Sequence, residues 1–185
     1  MKRHMRTLMP ALLICLLAPA AGVFAQDNSP KAASTQTAQA ADSDAKKAFE
    51  KLKTLTGSWQ GTIMRIPINF TIRPVSSGTA ILHEGDTSEA GPPKHEITMF
   101  YLEGDRLLAT HYCDAGNRAR WEGKLSADGK AIEFSFVEVV GSTRGGYLKD
   151  MVLTLVDADH HIVEFTFVMP NGKPIQLRGE FTRTN

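Results

Sequence analysis

Met99-Phe100-Tyr101-Leu102-Glu103-Gly104-Asp105-Arg106-Leu107-Leu108-Ala109-Thr110-His111 is the stretch whose reading decides the fold. An apolar run enters the turn residues Glu103-Gly104-Asp105 and returns as a second apolar run, which is a hairpin signal. The returning run continues through Tyr112-Cys113. A second turn, Asp114-Ala115-Gly116-Asn117, then reverses the chain into 118–125.

Working outward, the same grammar repeats. Strands are expected over 58–64, 66–74, 79–84, 95–102, 106–113, 118–125, 131–139, 149–156, 161–168 and 175–184. Turn clusters such as Ser76-Ser77-Gly78, Asp128-Gly129, Asp157-Ala158-Asp159 and Pro170-Asn171-Gly172 separate them. No intervening segment is long enough for a crossover helix. The pattern therefore predicts an all-β, antiparallel up-and-down β-barrel of about 8–10 strands. Ile66, Ile68, Phe70 and Ile72 share one face while Asn69, Thr71 and Arg73 share the other; Ile132, Phe134 and Phe136 alternate with Glu133 and Ser135. One apolar face per strand is what a single wall around one core requires. His111 and Cys113 fall on the face of Leu107 and Ala109, but both faces of that strand are mixed, so periodicity leaves the direction of His111 open.

The 185-residue chain begins with a segment of another kind. Lys2, Arg3 and Arg6 precede an apolar run over 8–17, and Val23-Phe24-Ala25 supplies the small or apolar residues of a cleavage site. Residues 1–25 are expected to be a signal peptide, and the protein to be secreted or periplasmic. The apolar run falls short of the ~20 residues of a spanning helix, carries Pro10 and is followed by Pro19, so no stable membrane span is expected after leader removal. Cleavage removes three basic groups from the 21 Lys+Arg and none of the 20 Asp+Glu, a net charge of −2. That balance argues against nucleic acid as a partner. Of the two cysteines only Cys113 would remain, so no intrachain disulfide is expected.

Residues 26–44, rich in Ala, Ser, Thr and Gln, read as a disordered linker that cannot bury enough surface to order itself. The barrel domain is expected over 45–185, opening with a short helix capped by Ser43 or Asp44 in which Phe49, Leu52 and Leu55 recur at helical spacing.

Leu55-Thr56-Gly57-Ser58-Trp59-Gln60-Gly61 after a short helix, with Phe181-Thr182-Arg183 at the far end, resembles the calycin barrels: lipocalins, fatty-acid-binding proteins and nitrobindins. In lipocalins a Gly-x-Trp opens the first strand, and the Trp packs across the barrel base under an Arg of the last strand. The resemblance implies structural roles for Gly57, Trp59, Gly61 and Arg183. His111-Tyr112-Cys113-x-x-Gly116-Asn117-x-x-Arg120 also resembles a family of largely uncharacterised bacterial proteins over about 49–183, departing from it at Arg118-Ala119, where many members carry Gln-Pro. Nitrobindins hold haem through a His on a late strand. Here the last strand has none, and His160 and His161 adjoin an Asp-rich turn, so no resident cofactor is expected and haem stays an alternative.

Each candidate residue carries two readings. Cys113 with His111 as base is either a nucleophilic or redox thiol or a small packed hydrophobe. His83, His95, His111 and Cys113 include zinc or copper ligand types, but their spacing matches no compact motif, and no metal is expected. Gly116 and Asn117 suit a turn backbone. Arg118 and Arg120 would face a ligand carboxylate or pair with Asp114 and Glu122. Trp121 lines a cavity or fills the core. The expected function is binding of a small apolar or amphipathic ligand inside a monomeric barrel, with His111, Tyr112, Arg118, Arg120 and Trp121 at its polar end. A thiol-dependent enzyme using Cys113 and His111, or a haem or metal barrel, is the alternative.

Overall fold

The computed structural model describes residues 43–87 and 94–184. The expected signal peptide over 1–25 and all but the last two residues of the linker lie outside this range. Ser43 caps the helix, its Oγ accepting from the Lys46 amide at 3.3 Å. The helix α1 spans Asp44–Thr54, one residue earlier than the sequence pattern places it. Asp44 sits in the first turn, where a carboxylate meets the positive end of the helix dipole, and it pairs with Lys47 at 2.9 Å.

Ten strands follow: β1 Gly57–Ile63, β2 Ile66–Val75, β3 Ala80–Thr87, β4 Lys94–Glu103, β5 Arg106–Cys113, β6 Asn117–Leu125, β7 Ala131–Gly141, β8 Tyr147–Leu155, β9 His160–Val168 and β10 Pro174–Thr184. Each pairs antiparallel with its sequence neighbours, and β1 closes on β10 from Ser58↔Thr184 to Ile63↔Gly179. This is the closed up-and-down barrel expected from the hairpin grammar, with strand bounds within three residues of the expected ones.

Alternation delivers one residue of each pair to the interior. Phe70, Ile72, Ile81, Phe100, Leu107, Ile132, Phe134 and Phe181 are buried in one cluster, and Ala48, Phe49, Leu52 and Leu55 of α1 and its C-cap belong to the same cluster. The helix lies against β4, β5 and β6, and its apolar stripe is covered there.

The barrel base is held by Trp59 and Arg183. Trp59 is buried, and its indole Nε1 donates to the Leu55 carbonyl at 2.8 Å. The Arg183 guanidinium lies 4.3 Å over the indole ring. Gly57 adopts φ +144°, and a side chain there would strike Arg183. A Cβ on Gly61 would collide with the Glu180 carbonyl and the Phe181 ring across the β1–β10 ladder. Both glycines are therefore places where backbone and side chains approach too closely for any other residue.

The wall is not uniform. β7 pairs with β8 only over Ala131–Phe134, matching Thr154–Met151, and β8 carries a register shift between Leu148 and Asp150. Side chains bridge the remainder. Trp121 Nε1 donates to the Lys149 carbonyl at 2.8 Å, and Asp150 Oδ1 accepts from the Phe136 amide at 3.1 Å. Asn117 Nδ2 donates to the carbonyls of Ser142 and Gly146 at 3.0 and 2.9 Å.

Candidate functional site

The barrel encloses a cavity of about 240 Å³. Most of its wall is apolar, from residues such as Ile68, Phe70, Ile81, Met151, Val163 and Phe165. Leu52 of α1 also reaches it. The polar groups come from four strands: His83 of β3, Glu96 and Thr98 of β4, His111 and Cys113 of β5, and His161 of β9. Register explains why these meet. His83 pairs with Thr98, and Thr98 with His111. The three stand abreast on adjacent strands and, given the two-residue side-chain period, face the same side of the wall. Glu96 and Cys113 lie one period nearer the strand ends, beside the β5–β6 turn at Asp114–Gly116.

His111 is buried, and its ring stacks on Trp121 with centroids 5.7 Å apart and planes at 23°. Its Nδ1 lies 3.0 Å from Thr98 Oγ1. Its Nε2 is sealed from solvent without a hydrogen-bond partner and lies 3.8 Å from Glu96 Oε2. Burial, aided by His83, pulls the His111 pKa down to about 4, so the imidazole is neutral at physiological pH. His83 packs on Phe70 at 4.4 Å and, chiefly through burial, is likewise lowered to about 4. His161 is buried against Trp59, ring centroids 4.3 Å apart and edge-on, and against Phe181 at 5.4 Å. Burial again lowers it to about 4, with His83 and Arg183 contributing. The Nδ1 atoms of His83 and His161 also lack partners.

Cys113 is half-buried, and its Sγ lies 3.3 Å from Glu96 Oε1 and 3.7 Å from Asp114 Oδ1. Burial first, then the two carboxylates, pushes the thiol up to about 12. Burial also raises the Glu96 carboxyl above the usual carboxylate range, and Asp114 adds to the push. A thiol in these surroundings is a poor nucleophile, because the thiolate it would need is destabilised by burial and by both neighbours.

The residues expected at a polar end divide. His111 and Trp121 line the cavity. Tyr112 and Arg118 are exposed, since each alternates with an inward neighbour. Arg120 turns outward to Glu103 at 2.9 Å and Glu138 at 3.5 Å. Arg118 and Arg120 therefore supply no positive charge to Cys113 or to the cavity, and no Lys or Arg is among the described residues that line it. Gly116 takes the positive φ of 81° that its turn requires. Asn117 is buried and works at longer range than a turn residue, fastening the 142–146 loop to the start of β6.

Glu96 and Thr98 are the site residues absent from the candidates drawn from the sequence, which named His83 only as a metal-ligand type and His161 only as a haem alternative. One signal was present: Glu96-x-Thr98-x-Phe100 puts two polar side chains on the face of a core phenylalanine. His161, expected at the start of a strand beside an Asp-rich turn, is the first inward position of β9, which begins at His160.

No family model matches the sequence, and no curated protein matches it. Among solved structures, Rv2717c from M. tuberculosis superposes with a TM-score of 0.60 at 14% identity, covering 75% of this chain and 98% of that one. A protein of unknown function from the DUF3598 family of Nostoc punctiforme PCC 73102 gives a TM-score of 0.21 at 7% identity, covering 74% and 98%. The first likeness shows a shared fold.

Proposed function

We propose that this is an exported binding protein that carries one small, uncharged, largely apolar molecule inside its barrel. The observation that carries this reading is the cavity itself. Its volume of about 240 Å³ exceeds the ~150 Å³ that suffices to hold benzene in an apolar protein cavity. Its wall is apolar with a few convergent polar groups, as small-molecule sites are. A filled barrel would show no such space.

The charge of the polar end refines the ligand class. His83 and His111 are neutral, Cys113 is held as a thiol, and no cavity-lining Lys or Arg offers a counter-ion. A fatty-acid carboxylate would have to be buried beside Glu96 without a cationic partner, which is costly. A ring or short chain ending in a hydroxyl, carbonyl or similar neutral group finds donors and acceptors instead. The same surroundings favour binding over thiol catalysis. Export rests on the basic, apolar and small-residue pattern of 1–25.

The test is to purify the protein without denaturant, record its visible absorbance, extract it with solvent and analyse the extract by mass spectrometry. A stoichiometric neutral amphiphile, retained less well by His111→Ala, is the expected result. A colourless protein yielding no extractable molecule, and showing no uptake from a panel of small neutral aromatics, would overturn the reading. A Soret band would assign the cavity to haem.

A further inference from the structure

We propose that Glu96, His111 and Cys113 form a three-ligand site for a borderline divalent metal ion of the zinc type, with its open position facing the barrel cavity. Glu96 Oε1 lies 3.3 Å from Cys113 Sγ, Glu96 Oε2 lies 3.8 Å from His111 Nε2, and one ligand atom from each residue can be chosen so that all three fall within 4.8 Å of one another. Zinc bonds of about 2.0–2.3 Å arranged tetrahedrally set their ligand atoms roughly 3.3–3.8 Å apart. The Cys113 and His111 contacts to Glu96, each made to a different carboxylate oxygen, already have that length, and a set of three donor atoms within 4.8 Å needs side-chain movements of only about 1 Å to reach it.

The independent observation is the state of His111. This side chain is only 7% exposed, and its Nε2 has no hydrogen-bond partner. A buried imidazole nitrogen is costly to leave unpaired, and this one lies 3.8 Å from the Glu96 carboxylate. With its proton on Nδ1, His111 donates to Thr98 Oγ1, and the Nε2 lone pair is then free for a metal. A hydrogen bond to the far ring nitrogen is the usual means of orienting a histidine ligand. The register supports the same arrangement: Thr98 and His111 are cross-strand partners, so the orienting group and the ligand sit on paired strands of a closed wall.

The donor set selects the ion class. One sulfur, one imidazole nitrogen and one carboxylate oxygen suit zinc and its neighbours, whereas magnesium and calcium demand oxygen ligands. Three protein ligands leave a coordination position unfilled, the arrangement of an open rather than a structural site. All three residues line the cavity. Binding converts the Cys113 thiol to a thiolate and releases that proton to solvent, together with the Glu96 proton where the carboxyl holds one. The inference does not rest on the small-molecule reading: an empty cavity with a loaded site, or the reverse, would separate the two.

The experiment uses the full chain in a Cys15→Ser background, so that Cys113 is the sole thiol, and titrates zinc and cobalt(II) against a chromophoric chelator. One equivalent of zinc should bind and raise the Tm. Cobalt should give a thiolate charge-transfer band. Cys113→Ser and Glu96→Gln should each weaken zinc binding roughly a hundredfold or more and abolish the Tm shift. Thr98→Val, which removes only the orienting hydroxyl, should weaken it roughly tenfold. His95→Gln and His160→Gln, which alter surface histidines paired with Asp86 and Asp157, should leave it unchanged. Binding that survives Cys113→Ser and Glu96→Gln, or that is lost with the surface histidines, overturns the proposal. So does a wild-type protein with no saturable zinc binding or no cobalt–thiolate band, a readout that needs no variant to fold.

Discussion

The Arg183 guanidinium lies 4.3 Å above the Trp59 ring while its nitrogens donate to the carbonyls of Thr54, Thr56 and Ala158 at 2.6–3.1 Å. One side chain of the last strand thus ties together the helix end, the entry to β1 and the β8–β9 turn. It satisfies carbonyls left over where α1 stops and shields the indole. Arg183→Ala should destabilise the protein by about 2–4 kcal/mol, the sum of lost charged hydrogen bonds and a desolvated cation–π contact. Arg183→Lys, unable to reproduce the planar fork, should recover only a minor part. Chemical denaturation of the two variants measures both. A loss below about 0.5 kcal/mol for the alanine would show the contact to be ornamental.

Trp121 substitutes for missing backbone pairing. Its Nε1 donates to the Lys149 carbonyl where β7 and β8 have parted. Trp121→Phe keeps the ring against His111 but orphans that carbonyl, at a cost of about 1–3 kcal/mol. Amide exchange should quicken over Tyr147–Asp150 and stay unchanged in β2. Uniform acceleration across the barrel would assign Trp121 a global packing role instead.

Acid should unfold the protein early. His83, His111 and His161 each titrate in the folded state near 4 because burial penalises the charged ring, against about 6.5 in the unfolded chain. Between those values the unfolded state binds more protons, so stability is complete above pH 6.5 and declines as the pH falls toward 4. Each histidine contributes on the order of 3 kcal/mol to that decline, less where the three couple. Denaturant midpoints measured from pH 7 to pH 4, in chelator to exclude metal, should fall steeply. His161→Leu should flatten the slope, and an unaltered slope would contradict a neutral buried His161.

Metal-free Cys113 should be a slow thiol. Half-burial and the nearby oxygens of Glu96 and Asp114 hold it protonated. Iodoacetamide at pH 8 should modify the folded protein far more slowly than the urea-unfolded chain. Fast alkylation of the native state would restore the thiol-enzyme alternative.

Tyr112 of β5 and its cross-strand partner Arg118 of β6 test which face of this wall meets the ligand. Tyr112→Ala and Arg118→Ala, both on the outer face, should leave retention of any extracted ligand unchanged, whereas His111→Ala reduces it. Equal losses for all three would place the ligand outside the barrel.

The architecture was legible because it follows from local rules. Period-two alternation in segments such as Ile66–Ile72 and Ile132–Phe136, punctuated by Gly, Asp and Asn turns, leaves an antiparallel meander as the economical solution, and its closure follows from having too many twisted strands for an open edge. Trp59 and Arg183, over a hundred positions apart, were legible as a pair only through resemblance.

The site lay beyond those rules for a physical reason. On β5 both faces are mixed, and Leu108, opposite His111 in sense, is buried as well, so alternation assigns no direction. Only the register of β3, β4 and β5 decides that His83, Thr98 and His111 stand abreast and that Glu96 meets Cys113. Register is fixed by the whole closed wall, and a slip of one residue would send every one of these side chains to solvent. The sequence by itself determined the strand order and the single core. The tertiary structure alone decided which polar groups are buried together, because that depends on pairing between segments and not on the content of any one of them.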